Sequence, residues 1–155
     1  LEENNIFPDI FKRPISKINP QISEEEIQRL LTDVSLKLNY DDLGREFFRS
    51  LVNSSGTKLI DFENFNNNEF HVTTELTCKK GDEEFRPDIT VLINGMPLVF
   101  IEVKKPNNRE GVIAERNRIN KRFALKDFRA FTNVTQLMLF SNNMINTITV
   151  IIVSP

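Results

Sequence analysis

Two apolar runs joined through Asn94-Gly95 constrain this chain more than any other feature. Asp88-Ile89-Thr90-Val91-Leu92-Ile93 and Leu98-Val99-Phe100-Ile101-Glu102-Val103-Lys104 are rich in β-branched and aromatic residues. An Asn-Gly dipeptide between such runs is the strongest short-range signal for a β-hairpin. Two registers are open. A two-residue turn pairs Ile93 with Met96 and sets Asp88 opposite Ile101. A three-residue loop over 94–96 pairs Ile93 with Pro97 and sets Asp88 opposite Glu102. The second is preferred, because it gathers Ile89, Val91, Ile93, Val99, Ile101 and Val103 on one aliphatic face, expected to be buried.

The rest of the chain is read around that hairpin. Residues 1–22, rich in Asn and Pro and ending near Pro20, read as an irregular lead-in. Ser23 followed by Glu24, Glu25 and Glu26 is a helix start, with a hydroxyl cap and acids near the positive end of the dipole. Ile27, Leu30, Leu31, Val34 and Leu38 follow at helical spacing. A second helix is expected over Asp41 to Val52, stopped by Asn53-Ser54-Ser55-Gly56. Glu69 to Lys79 reads as a strand, Lys80 to Glu84 as a turn, and Gln136 to Phe140 and Thr147 to Val153 as further strands. A helix is expected from about Glu110 to Phe131, broken near residue 124 because its apolar residues do not keep one stripe. That order predicts an α/β domain with a mixed sheet flanked by helices. The expected organisation is a single domain over 1–155, mainly helical in 1–56, with the sheet-bearing core in 57–155.

Composition removes several classes of function. One Cys in 155 residues excludes a disulfide framework and zinc fingers or ribbons. One His, His71, excludes a His-pair metal site and weakens a Ser-His-Asp reading. No apolar run approaches the roughly 18 residues of a membrane span, and the first residues have no signal-peptide pattern. A soluble protein of a reducing compartment, the cytoplasm, is expected, without a membrane partner. The net charge of −2 argues against a uniformly basic surface, but charge is segregated. Residues 104–129 carry Lys104, Lys105, Arg109, Arg116, Arg118, Lys121, Arg122, Lys126 and Arg129 against Glu110, Glu115 and Asp127. Arg118, Arg122, Lys126 and Arg129 recur at i, i+4, i+8 and i+11, a basic stripe suited to a polyanion or simply to solvent.

The chemistry concentrates at the open end of the hairpin. Strand period two puts Glu102 and Lys104 on the same face, and the preferred register adds Asp88. Two opposed carboxylates repel, and Lys104 neutralises only one of them. A divalent cation supplies the remaining compensation. Carboxylate oxygens without imidazole or thiolate select Mg²⁺, with Mn²⁺ as a substitute. Such a cation activates water and offsets charge on a phosphorus centre, so hydrolysis of a phosphodiester fits these residues. Taken alone, Pro-Asp is a common turn and Glu-x-Lys an ordinary strand edge. Their combination on two strands of one hairpin carries the reading.

These residues match a family pattern. Arg86-Pro87-Asp88, the turn Asn94-Gly95-Met96-Pro97 and Leu98 through Lys104 resemble the PD-(D/E)XK nuclease core. More narrowly, they resemble the N-terminal nuclease domain of the restriction (R) subunit of type I restriction-modification enzymes. Leu59-Ile60-Asp61-Phe62-Glu63-Asn64 and Gln136 through Asn142 resemble that family's flanking strands, so the resemblance covers about residues 45–143. It implies metal-dependent cleavage of double-stranded DNA in an assembly with modification and specificity subunits. It also implies a translocating ATPase later in the same polypeptide, of which this chain would be a fragment. ATP would enter only through that motor, since no GxxxxGK[ST] loop occurs here. The resemblance makes Asp88 and Glu102 metal ligands, the Val103 carbonyl a third, and Lys104 the catalytic lysine. Arg118, Arg122, Lys126, Arg129 and Lys105 are the candidate DNA contacts.

Two departures accompany it. Many relatives carry Gln-x-x-x-Tyr on the helix after the core, where this chain has Arg118 and Arg122 in the stretch Asn117 to Phe123. The family often has a helix glutamate near the metal, and Glu26 and Glu46 are both open for that place. His71 reads as a strand-end histidine, Cys78 as a small core or edge residue, and Lys79 and Lys80 as a solvated turn that could touch DNA. Two alternatives stand beside the nuclease reading: an inactive nuclease fold used for DNA binding or subunit docking, and a different PD-(D/E)XK enzyme such as a repair nuclease.

Overall fold

Helices come first in the chain and are anchored to the hairpin turn. The computed structural model describes residues 6–53, 55–80, 83–105, 109–123, 126–141 and 151–152. Contrary to the expected irregular lead-in, α1 runs over Pro8–Ile18, with Phe11, Pro14 and Ile15 buried. Pro8 sits in the first turn, where a missing N–H costs nothing and the fixed φ favours a helix. The Phe7 N–H donates to the Gly95 carbonyl at 2.9 Å, tying the helix start to the hairpin. Gly95 has φ +75°, and a Cβ there would lie 2.8 Å from Phe11 N and Phe7 O, so only glycine permits this approach.

Helix α2 (Glu24–Lys37) starts where the sequence places it. Ser23 and Glu26 form a capping box: Glu26 N–H donates to Ser23 Oγ at 3.2 Å, and Ser23 N–H donates to Glu26 Oε2 at 2.8 Å. Helix α3 (Arg45–Val52) is shorter than the expected Asp41 to Val52. Leu43 and Gly44 have φ of 55° and 81°, which a continuous helix cannot contain. The Asp42 carboxylate accepts instead from Gly44 N–H at 3.0 Å and Glu46 N–H at 2.9 Å. These helices share a core with Leu59, Ile60, Met96, Leu98, Ala130 and Val134.

The main sheet has five strands: β1 (Phe70–Thr74), β4 (Ile89–Ile93), β5 (Met96–Val103), β6 (Leu137–Ser141) and β7 (Ile151–Ile152), in the order β1-β4-β5-β6-β7. Only β5 and β6 are parallel, so the sheet is mixed as expected. Of the strand expected over 147–153, the remainder lies outside the described residues. The expected single strand over Glu69 to Lys79 is divided. Glu75 turns left-handed (φ 53°) after β1, and β2 (Cys78–Lys80) then pairs with β3 (Glu83–Phe85) in a separate ribbon. Leu59-Ile60-Asp61 is buried but is not a strand, and Asn66 belongs to a short 3-10 turn, Phe65–Asn67. The crossover from β5 to β6 consists of α4 (Arg109–Phe123), a 3-10 turn at Lys126–Phe128 and α5 (Arg129–Val134). That division lets Phe128 and Phe131 join Phe100, Ile119, Met138, Phe140 and Cys78 in a second core beneath the sheet. The Phe100 ring meets Phe131 and Phe140 edge-on, with centroids 6.1 and 5.9 Å apart.

The hairpin corrects one expectation and meets another by a different route. Its turn has two residues, Asn94 (φ 51°) and Gly95, and Ile93 pairs with Met96, so the expected three-residue loop does not form. The register then shifts between Leu92, paired with Pro97, and Val91, paired with Val99. Leu98 is the extra residue of this bulge. Pro97 has no N–H to give the ladder, and the Leu98 carbonyl accepts from Gln136 N–H at 2.8 Å. Beyond the bulge Thr90 pairs with Phe100 and Ile89 with Ile101, so the next step sets Asp88 opposite Glu102.

The buried face is also the reverse of the one expected. Ile89, Val91, Ile93, Val99 and Ile101 are only half-buried and Val103 is exposed, whereas Thr90, Leu92, Leu98, Phe100 and Glu102 are buried. The crossover segment covers the Phe100 side, where the aromatic rings find partners. Among the described residues, no helix is long and apolar enough to cross a membrane.

Candidate functional site

Asp88 enters the sheet behind buried Pro87 and is held from both sides. Its backbone carbonyl accepts the Glu75 N–H at 3.1 Å, which gives the left-handed Glu75 a role. Its carboxylate Oδ2 accepts the Val103 N–H at 2.7 Å, replacing the ladder bond that a regular strand would make there. The side chain is thereby aimed across the hairpin at the segment 102–104.

Glu102 is the unusual member. It is 5% exposed, although a carboxylate is among the least buried groups unless paired. Its partner is Lys104, whose Nζ donates to Glu102 Oε1. The strand backbone around them is fixed, with Glu102 in register with Phe140 of β6 and the Lys104 N–H donating to the Ser141 carbonyl at 2.7 Å. Asp88, bonded to the Val103 N–H, and Lys104, bonded to Glu102, therefore both lie at the open end of the hairpin. Val103, between them, is exposed rather than buried, and its N–H serves Asp88.

The donor set fits a hard cation. All side-chain donors here are carboxylate oxygens, and Lys104 leaves the pair of carboxylates one negative charge in excess. Among the described residues, no group of three or more His, Cys, Asp and Glu gathers around a common point. A cation at this place would thus depend on Asp88 and Glu102, with a backbone carbonyl and water completing its shell. That is a pattern suited to Mg²⁺ and foreign to zinc.

The basic residues do not form the single stripe expected of them. Arg118 is exposed on α4, Lys126 is exposed in the 3-10 turn, and Arg129 opens a different helix. Arg129 pairs with Asp41 Oδ2 at 3.2 Å, so its charge is already compensated. The break after Phe123 puts these positions on three successive elements instead of one helix face. Lys105, next to the site, is exposed. The Arg122, Lys79 and Lys80 side chains lie outside the described residues.

Both candidate helix glutamates have structural work. Glu26 closes the capping box, and the hydrogen bonds from Ser23 hold its carboxyl below the usual range. Glu46 pairs with Arg49 at 2.5 Å on the surface of α3. Cys78 is buried, and burial pushes its thiol up to about 11, the condition of an inert core cysteine. His71 is half-buried on β1, paired with Leu92. Sequence reasoning passed over Thr90, the one polar residue inside the Ile89–Ile93 run, and over Glu75. The Thr within an apolar strand was a readable signal; the Glu75 conformation was not.

Comparison with known proteins supplies relatives for the chain. The family model described as Type I restriction enzyme R protein N terminus matches residues 1–149. The type I restriction enzyme SauMSSORF170P endonuclease subunit of Staphylococcus aureus is 30% identical over 145 residues, covering 93% of this chain and 14% of the relative. The type I restriction enzyme HindI endonuclease subunit of Haemophilus influenzae is 28% identical over 119 residues, covering 65% of this chain and 11% of the relative. The chain thus spans about one seventh or less of the length of these curated relatives.

Proposed function

From the premise that this chain belongs to the family of type I restriction enzyme R protein N-termini, we propose that it is a metal-dependent endonuclease domain hydrolysing DNA phosphodiester bonds. The observation that carries this is the opposition of Asp88 and Glu102 across the bulged hairpin, with Lys104 bound to the buried Glu102. Asp88, Glu102 and the Val103 carbonyl would hold Mg²⁺, or Mn²⁺ in its place. When bound, the cation supplies an activated water and offsets charge on the phosphoryl oxygens.

The chain's own residues do the rest. The Val103 N–H fixes one Asp88 oxygen and leaves the other side of that carboxylate for a ligand. Burial of Glu102 keeps its charge in a poorly screened setting, where it interacts strongly with a nearby cation. Lys104, bound to Glu102, would orient the attacking water and stabilise negative charge on the phosphate in the transition state. The attacking water gives up a proton as its oxygen bonds to phosphorus, the bond to the leaving sugar oxygen breaks, and that oxygen takes up a proton from solvent. In this reading double-stranded DNA is the substrate, modification and specificity subunits are the partners, and ATP acts through a motor elsewhere in a longer polypeptide. The cytoplasm is the compartment that fits such a substrate.

The test uses Asp88→Ala, Glu102→Ala and Lys104→Ala in the assembled restriction enzyme. Cleavage of supercoiled plasmid should fall about 10³-fold or more in each, while ATP hydrolysis persists. Mn²⁺ affinity should be lost in the two carboxylate variants and retained in Lys104→Ala, whose defect lies in the chemical step. Wild-type cleavage in all three variants would leave a DNA-binding or docking module instead.

A further inference from the structure

Outside the Glu102–Lys104 pair, three polar side-chain atoms among the described residues are shut off from solvent without a hydrogen-bond partner: His71 Nδ1, Thr90 Oγ1 and Thr132 Oγ1. Thr90 is the one whose position coincides with the site. It is 2% exposed, in the middle of β4, and no solvent reaches its hydroxyl. A buried hydroxyl without a partner destabilises a fold, and valine would fill the same volume without that cost. Its cross-strand neighbour Thr73 turns its own hydroxyl toward the Thr74 carbonyl, at 3.5 Å.

Register places this hydroxyl beside the carboxylates. Thr90 is two residues from Asp88, which leads into β4. Its partner across the hairpin, Phe100, is two residues from Glu102, so Thr90 is also the diagonal neighbour of Glu102. Diagonal neighbours lie about 7–8 Å apart, within reach of a long side chain such as glutamate. His71 is nearer the turn, opposite Leu92, and Thr132 lies on α5.

We propose that Thr90 is a positioning residue of the metal site, its hydroxyl hydrogen-bonding the Glu102 carboxylate when that carboxylate turns to a cation shared with Asp88. The inference rests on the nuclease reading and deepens it. In the metal-free protein that carboxylate is drawn to Lys104, and the hydroxyl finds no partner. Groups that orient a metal's ligands tune its affinity without touching the ion.

The experiment compares this chain with Thr90→Val, Thr90→Ser and Asp88→Ala. Its readouts are Mn²⁺ affinity by calorimetry and the melting temperature of the metal-free protein. Thr90→Val should bind Mn²⁺ about tenfold more weakly and melt no lower than wild type. Thr90→Ser, which restores a hydroxyl, should recover the affinity to within about twofold of wild type. Wild-type Mn²⁺ affinity in Thr90→Val, with Asp88→Ala defective, would overturn the role of Thr90 and leave the site standing. A weakened affinity that Thr90→Ser fails to recover, or that comes with a lowered melting temperature, would make Thr90 a packing residue and overturn it equally. Unchanged affinity in Asp88→Ala would remove the metal site itself, and this proposal with it.

Discussion

The two ends of the β4–β5 hairpin both bury polar groups, in opposite ways. At the turn, Asn94 is fully buried and every polar atom of its side chain is used. Its Nδ2 donates to the Leu59 carbonyl at 2.8 Å and to Asn68 Oδ1 at 2.9 Å, and its Oδ1 accepts the Glu69 N–H at 2.8 Å. Asn68 passes the chain of bonds to the backbone of Asp61, with both contacts at 2.8–2.9 Å. At the open end the buried groups are Glu102, paired with Lys104 beside Asp88, and a Thr90 hydroxyl that nothing satisfies. Burial of polarity is therefore no mark of function by itself. Neutral amides that saturate one another hold loops together, whereas concentrated charge and a leftover donor point to something that binds.

The strongest way to break this comparison is to empty the turn end and watch the other. Asn94→Gly keeps the positive φ available while deleting three hydrogen bonds, two of them buried, so the backbone itself adds no strain. It should cost about 2–4 kcal/mol of stability, read as a lowered urea midpoint. Mn²⁺ affinity, measured where the variant is still folded, should stay at the wild-type value. An affinity that fell with stability would show that the two ends are one unit.

A weaker perturbation is acid. Hydrogen bonds from Asn67 and from the Asn64 and Glu63 amides hold the Asp61 carboxyl below its ordinary 3.8. The Arg13 guanidinium, at 2.7 Å, holds Glu69 below 4.5. A depressed carboxyl contributes stability that is fully present above its unfolded value and is lost as pH falls through its folded value. The urea midpoint should therefore hold steady down to about pH 5 and decline below it. Asp61→Asn should flatten that decline, and an equally steep decline in the variant would assign the acid sensitivity elsewhere.

What the sequence revealed divides along the same line between local and distant causes. The α2 start was legible because Ser23 and Glu26 satisfy each other within four residues. The convergence of Asp88, Glu102 and Lys104 was legible from strand period and hairpin pairing. Its cause was not, because the bulge at Leu98 depends on a carbonyl bond to Gln136 from a strand far along the chain. Helix α1 was hidden for the same reason: its start is fixed by Gly95, and an Asn- and Pro-rich segment carries no trace of that contact. The choice of buried face failed because β-branched residues populate one side of the hairpin while the aromatic partners of Phe100 lie in the crossover and in β6. The division of the Glu69 to Lys79 run turns on Glu75, whose left-handed conformation answers to the Asp88 carbonyl at the head of the neighbouring strand.

The smallest expected effect concerns how far the open end reaches beyond its three charges. Arg118 and Lys126 are exposed on separate elements of the crossover, and Arg129 pairs with Asp41. If the first two touch phosphates, Arg118→Ala and Lys126→Ala should each weaken binding to DNA of every sequence alike. The slope of log affinity against log salt should become shallower by about one unit for each phosphate no longer neutralised. Arg129→Ala should leave that slope unchanged, because a cation already paired with a carboxylate releases no counterion from DNA. The three variants are compared in one salt titration of the assembled enzyme on two unrelated duplexes. Weakening confined to one duplex would mean that these side chains read bases. An unchanged slope for both exposed residues would limit the DNA-facing charge to the neighbourhood of Lys104 and Lys105, and would make the crossover a solvated surface.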